Sequence, residues 1–330
     1  MKKKIGTEVI KLPRIPIFRI KLRSFTETIS WIIGIFIFLI TSVPIFGAGE
    51  TALNFLRIGT SARGAALADS LAADYSDSSA VEYNPATLLT LEGREIQLMH
   101  INLYADIDYE SLIYVEQFDK FNLALSLNYL HTNALRTVID TSDPYGYKNI
   151  GKFVFQDRCF AATFTPRKGI WGGRVKYIEE RIEDEKAGTP AADFGFLVPG
   201  KLSYGAALCN MGPEIKFIDV KEKLPQTLQM AVKLNLKYIS LYSAGNFYID
   251  RKTSGACAME ANIINVVFLR AGYKYIPEDN GEFPGFTFGI GIKIREIGFD
   301  YAFIPFGEFG DTQRFSLQVK WGKRKGDGGN

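Results

Sequence analysis

Beyond residue 46 the 330-residue chain has no apolar run long enough for a membrane helix, and its mean hydropathy is close to zero. Together these exclude a bundle of membrane helices, each of which needs about 20 apolar residues. They leave a transmembrane β-barrel open, because its strands alternate lipid-facing apolar with lumen-facing polar residues and average near neutral. Histidine is scarce: His100 and His131 lie 31 positions apart and in no cluster of ligand types, so no metal site is expected. Cysteine is scarce too. Cys159, Cys209 and Cys257 are odd in number and widely spaced, and read as small wall residues instead of a disulfide framework. No serine sits in a nucleophile-elbow glycine pattern, and Gly289-Ile290-Gly291 is strand alternation with no helix after it to bind phosphate. The expectation is a protein with no catalytic centre, metal or cofactor.

Charge of one sign is also missing. The formal net charge is +3, but residues 1–49 hold eight of the 39 basic residues and two of the 36 acidic ones. The remainder carries 31 basic and 34 acidic residues, which gives no footprint for nucleic acid. Those first 49 residues have the order of a secretory signal peptide: a long basic segment, the apolar stretch Trp31–Phe46, then Gly47-Ala48-Gly49. Cleavage is expected near Ala48 or Gly49. An uncleaved inner-membrane anchor is the rival reading.

What is abundant is aromatic and alternating. There are 16 Tyr, 25 Phe and 3 Trp, as in barrels that concentrate rings at the membrane interfaces. From Glu95 onward the pattern has period two, the strand signature. In the final segment Phe315, Leu317, Val319 and Trp321 alternate with Ser316, Gln318 and Lys320. The opposite face is small or singly charged, with Gly205, Ala207, Gly272, Gly289, Gly291 and Gly298, as suits a narrow or filled lumen. The reading gives about fourteen strands near 95–104, 108–118, 121–131, 152–165, 169–182, 190–199, 201–210, 226–237, 241–250, 256–263, 265–276, 284–294, 296–304 and 312–321. Longer connections fall at 132–151, 183–189, 211–225 and 277–283, and a polar tail at 322–330. The closing strand, ending on the aromatic Trp321, is the type that barrel assembly machinery reads.

Residues 50–94 differ. Glycine, alanine, serine and aspartate crowd Gly59–Asp69 and Asp74–Ala80, followed by Tyr83-Asn84-Pro85-Ala86. Such a segment cannot build its own core and is stable only inside something larger. Asp69, Asp74, Asp77 and Glu82 are expected to bond plug backbone to the barrel wall, since lumenal carboxylates need donors. An ion or substrate site is the sharper alternative. Asn84-Pro85 should set a turn.

The block Phe55–Gly64, with Gly59 and Arg63, then Asp74–Ala80 with Asp77, then Asn84-Pro85-Ala86, resembles the opening of the PorV/PorQ group of outer-membrane proteins. The closing segment Asp300–Leu317 resembles that group as well. The chain is more distantly similar to the FadL family of hydrophobic-compound transporters. That likeness implies an all-β transmembrane antiparallel barrel of about 14 strands, with residues 50–94 as an N-terminal hatch inside the lumen and 95–321 as the barrel. Ala65-Ala66-Leu67 and Thr87 depart from common versions of the hatch. The PorV/PorQ resemblance implies a non-enzymatic outer-membrane protein handling exported cargo, as in type IX secretion, with outer-membrane lipid and secretion components as partners. The FadL resemblance implies a channel for a hydrophobic ligand. A purely structural surface barrel is a third reading.

Overall fold

A computed structural model describes residues 51–322 apart from 104–105, 133, 140–141, 143, 277–284 and 306–310. The leader, its cleavage site and the tail beyond Gly322 lie outside the described residues. Fourteen strands close into one antiparallel barrel. In chain order they begin with β1 (Arg94–Asn102), β2 (Ile107–Gln117), β3 (Phe121–Thr132), β6 (Phe155–Pro166), β7 (Trp171–Ile182), β8 (Glu185–Val198) and β9 (Leu202–Met211). They continue with β12 (Thr227–Asn235), β13 (Ile239–Tyr248), β14 (Ser254–Asn262), β15 (Val267–Tyr275), β16 (Gly285–Ile294), β17 (Ile297–Pro305) and β18 (Asp311–Trp321). Each pairs with its successor, and β18 returns to β1 along Arg94↔Trp321 to Asn102↔Gln313, so no edge is left open. Two hairpins stand outside the barrel: β4 (Leu135–Ile139) with β5 (Tyr147–Lys152), and β10 (Ile215–Phe217) with β11 (Val220–Glu222).

The period-two pattern puts each strand's two faces in different solvents. On β18, Thr312, Arg314, Ser316 and Gln318 are buried inward, while Phe315, Leu317 and Trp321 stand exposed outward with Val319 half-buried. The same outward exposure of Leu98, Leu125, Phe160, Val175, Phe194 and Phe286 continues round the wall. An apolar face of that extent belongs in lipid. Rings gather at its two rims. Phe118, Phe121, Phe164, Trp171 and Phe194 form a chain of contacts with centroids 4.8 to 6.2 Å apart at one end. Tyr273 packs on Phe286 at the other, with centroids 5.0 Å apart, while Tyr301 and Phe315 meet midway along the β17–β18 ladder.

The two ends also differ in their connections. Turns of two to four residues join β2–β3, β6–β7, β8–β9, β12–β13, β14–β15 and β16–β17 at the end where β1 starts. The long connections, including both hairpins, fall at the opposite end, which the usual asymmetry of such barrels makes the outer face. One expected loop is absent. Where 183–189 reads as a connection, β7 runs to Ile182 and β8 starts at Glu185, with only 183–184 between. The longer β8 contains Pro190, and since the β8–β9 ladder ends at Ala192, Pro190 stands where β8 has lost that partner and its missing N–H is tolerated.

Candidate functional site

Residues 51–91 have little regular structure: one helical turn, α1 (Ala62–Ala66), and 3₁₀ turns at Asn54–Arg57, Leu71–Ala73, Ser78–Glu82 and Pro85–Thr90. They pack against the inner wall on all sides. The turn at Pro85–Thr90 meets β3, β6, β7 and β8; Leu71–Ala73 meets β9, β12 and β13; α1 meets β15 to β18; and Ser78–Glu82 meets β1 and β2. Inner-wall glycines admit this approach. A Cβ on Gly172 would lie 2.6 Å from the Pro85 carbonyl, and one on Gly205 would lie 2.6 Å from the Ala72 carbonyl carbon. Gly195 and Gly289 are closed in the same way by Asn84 and Ala66.

Irregular backbone at membrane depth needs every polar group satisfied. The wall supplies the donors. Thr165 donates to the Pro85 carbonyl at 2.7 Å, Thr287 to Ala66 at 3.0 Å, Asn122 to Leu91 at 3.1 Å and Arg314 to Gly59 at 3.1 Å. Asn84 does three jobs. Its Oδ1 accepts from the Ala86 N–H at 3.0 Å, and its Nδ2 donates to the Ala72 and Phe196 carbonyls at 2.7 and 2.8 Å. The expected turn is thus an N-cap, with Pro85 at the first helical position.

The carboxylates were expected to bond backbone to the wall. Their main partners are cations instead, while wall hydroxyls, the Asn122 amide and Arg314 serve the carbonyls. Ser61 caps α1 through the Gly64 N–H and so sets Arg63 at the centre of a buried network. The Arg63 guanidinium donates to Asp74 at 2.6 Å, to both Glu260 oxygens at 3.0 Å and to the Tyr242 hydroxyl at 3.0 Å, and stands 3.0 Å from Asp77. Lys233 reaches Asp74 at 3.0 Å, and Arg270 joins Glu260 at 2.7 Å to Asp300 at 2.6 Å. A second knot holds Glu82 to Arg174 at 2.7 Å, with Lys176 bonded to Asp193 at 2.7 Å. Asp69 accepts from Tyr83 at 2.8 Å, and a Cβ on Gly59 would come within 2.6 Å of that same hydroxyl.

Of the residues singled out in the sequence, Arg63, Asp69, Asp74, Glu82 and Asn84 meet the wall's charges or carbonyls directly, whereas Asp77 bonds within the segment, to Ser79 and Arg63. Pro85 and Ala86 shape the turn. Phe315, Leu317, Val319 and Trp321 face outward, away from the segment. Lys233, Tyr242, Glu260, Arg270 and Arg174 were missed. Their signal was a lone charge or hydroxyl on the inward phase of a strand, as in Val232-Lys233-Leu234. The histidines are not isolated, since the β1–β2–β3 register brings His100 and His131 each to 3.3 Å from Glu110 on the outward face. All three cysteines are free, with Cys159 and Cys209 buried and Cys257 exposed.

Two cavities flank the network. The one toward the long-loop end has about 740 Å³ of unfilled space, partly open to solvent, lined among others by Arg57, Thr60, Asp69, Lys176, Asn246 and Lys274. The one toward the short-turn end has about 460 Å³, lined by Arg63, Asp77, Glu260, Arg270, Lys293 and Asp300 among others.

No protein-family model matches the sequence, and no curated protein is similar to it, so the PorV/PorQ family is not shown. Solved structures do match. The toluene transporter TodX of P. putida is 10% identical, with 85% of this chain and all of that one covered at a TM-score of 0.51. The outer membrane protein Omp33 of Acinetobacter baumannii is 7% identical, covering 70% of this chain and 98% of its own at 0.42. At this identity the first likeness shows the fold: a closed fourteen-stranded antiparallel barrel like that of an outer-membrane transporter.

Proposed function

We propose that the protein is a FadL-type channel for small molecules in the outer membrane of a Gram-negative-type bacterium, kept shut by its N-terminal segment acting as a hatch. The observation that carries this is the segment's seating: irregular chain fills the lumen round its circumference and is tied to the wall by the Arg63 network. A merely structural barrel has no need of so much buried charge, which costs desolvation that apolar packing avoids. The leader and the outward apolar face support the location. The reading assigns transport and no bond-making chemistry.

The PorV/PorQ-type reading, cargo handling at the cell surface, has one observation in its favour. The β4–β5 hairpin at the long-loop end carries Ile139 at 89% exposure, a large apolar side chain outside the barrel strands.

Current through planar bilayers tests the channel. The full chain should conduct little, whereas Arg63→Met, or deletion of 50–94, should conduct steadily while still migrating as a heat-modifiable barrel. Arg63→Met leaves buried Asp77 without a close cation and Asp74 and Glu260 with one each, Lys233 and Arg270, a loss of about 3–5 kcal/mol from the closed state. Folded variants that stay silent would end the channel reading. Unchanged uptake with failed display of surface proteins would favour cargo handling.

A further inference from the structure

The cavities on either side of the Arg63 network are lined mainly by polar and charged residues, the outer one most clearly, and this bears on what passes. Resting on the channel reading, we infer that the permeant is a small hydrogen-bonding solute of zero net charge, neutral or zwitterionic, and not an apolar compound. The outer chamber is walled mainly by side chains that bond water well, Asn128, Gln229 and Asn246 beside Tyr109 and Tyr248, with Leu56 and Ile58 as its aliphatic lining. An apolar solute entering it would gain almost no apolar contact and would strip these groups of hydration, at a cost of about 1–3 kcal/mol for each left unpaired. A pocket for hydrocarbons is built the other way, mostly apolar with few polar groups.

Charge bookkeeping narrows the solute further. In the outer chamber the cations Arg57, Arg174, Lys176 and Lys274 are each matched: to Asp250 at 2.5 Å, Glu82 at 2.7 Å, Asp193 at 2.7 Å and Asp69 at 3.4 Å. The inner chamber shows Arg63, Arg270 and Lys293 against Asp77, Glu260 and Asp300. Neither chamber has a net field to concentrate an anion or a cation, yet both present donors and acceptors in quantity. Among the described residues, four buried polar atoms of the outer chamber's lining, the Thr60 hydroxyl, Arg57 Nε, Arg174 Nε and Glu82 Oε1, have no hydrogen-bond partner, although Glu82 Oε1 stands 2.7 Å from the Arg174 guanidinium as an ion pair. Buried groups of this type are normally paired, by water or by a ligand. A solute with its own hydroxyl, carboxylate or ammonium groups can exchange for water there without loss.

The paired chambers also give the network a place in the path. Arg63 lines the inner cavity and the segment Leu56–Thr60 lines the outer one, so a solute moving between them must pass the segment.

The test reads interruption of ion current through Arg63→Met channels by three probes: glucose as the neutral solute, glycine as the zwitterion and toluene as the apolar one. Glucose or glycine should interrupt current in a concentration-dependent way, and toluene should not. Replacing two lining amides, Gln229→Leu with Asn246→Leu, should weaken the effective polar probe about fivefold or more, as loss of one or two hydrogen bonds of about 1 kcal/mol predicts. In the unaltered full chain, the same probe should raise the thermal unfolding midpoint in detergent, and the paired amide variant should abolish that rise. Block by toluene alone, or by no probe, overturns the inference while leaving the channel standing. Absence of current from a folded Arg63→Met barrel and from a folded 50–94 deletion overturns the channel reading and this inference with it.

Discussion

Asp250 shows what a single side chain does for the start of the segment. It accepts from the Thr51 hydroxyl at 2.6 Å and from Arg57 at 2.5 Å, and it lies in the connection between β13 and β14. Burial alone would raise its carboxyl, but those hydrogen bonds and the Arg57 charge outweigh burial and hold it below the usual carboxylate range. A depressed acid stabilises the folded form above its ordinary value, about 3.9, and that stabilisation is lost as pH falls through the lower folded value. Residues 51–57 should therefore stay docked at neutral pH and loosen only below about pH 4. Limited proteolysis across that range measures it. Asp250→Asn should expose the stretch already at neutral pH and remove the acid step; an unchanged acid step would assign it to another carboxylate. The sequence shows acidic residues clearly but not their partners. Asp74 and Asp77 stand out in the sequence because of their serine- and alanine-rich surroundings, whereas Lys233, Glu260 and Arg270 become their neighbours only through a register set across strands far apart in the chain.

At the level of elements, alternation carried most of the architecture. All fourteen expected strands are present, because one apolar and one small or polar face is a pattern that survives without knowledge of the partner strand. The start of β8 was not legible, since the charged run at 183–186 reads equally as a solvated loop and as a strand extension. Inner-face glycines were legible as a phase, and the structure gives their cause in the segment's close approach. Gly205→Val therefore makes a sharp test. The added side chain meets the backbone of Ala72 and Ala73, which cannot rotate aside, so the turn Leu71–Ala73 should be displaced. Gly173→Val, with nothing within 4 Å of its Cβ, should be neutral. Protease access to residues 66–80 should rise in the first variant only, with both barrels remaining heat-modifiable. Equal access would mean the segment does not depend on this contact.

For the molecule as a whole, exposure alone cannot tell water from lipid. Val175 in the middle of β7 is 63% exposed and Ile218 in the β10–β11 turn is 64% exposed, two nearly equal values in what should be different solvents. Val175 lies on the face between the aromatic rims, where an arginine near the bilayer midplane costs about 2–4 kcal/mol. Ile218 sits at a turn with φ of 55°, a conformation that disfavours β-branched side chains, so an arginine there should be neutral or slightly stabilising. Denaturant titrations of folding into lipid vesicles should show Val175→Arg losing that amount and Ile218→Arg losing nothing. In a soluble sandwich both positions would face water and the two substitutions would behave alike. The difference between them therefore measures the bilayer directly, independently of what the lumen carries.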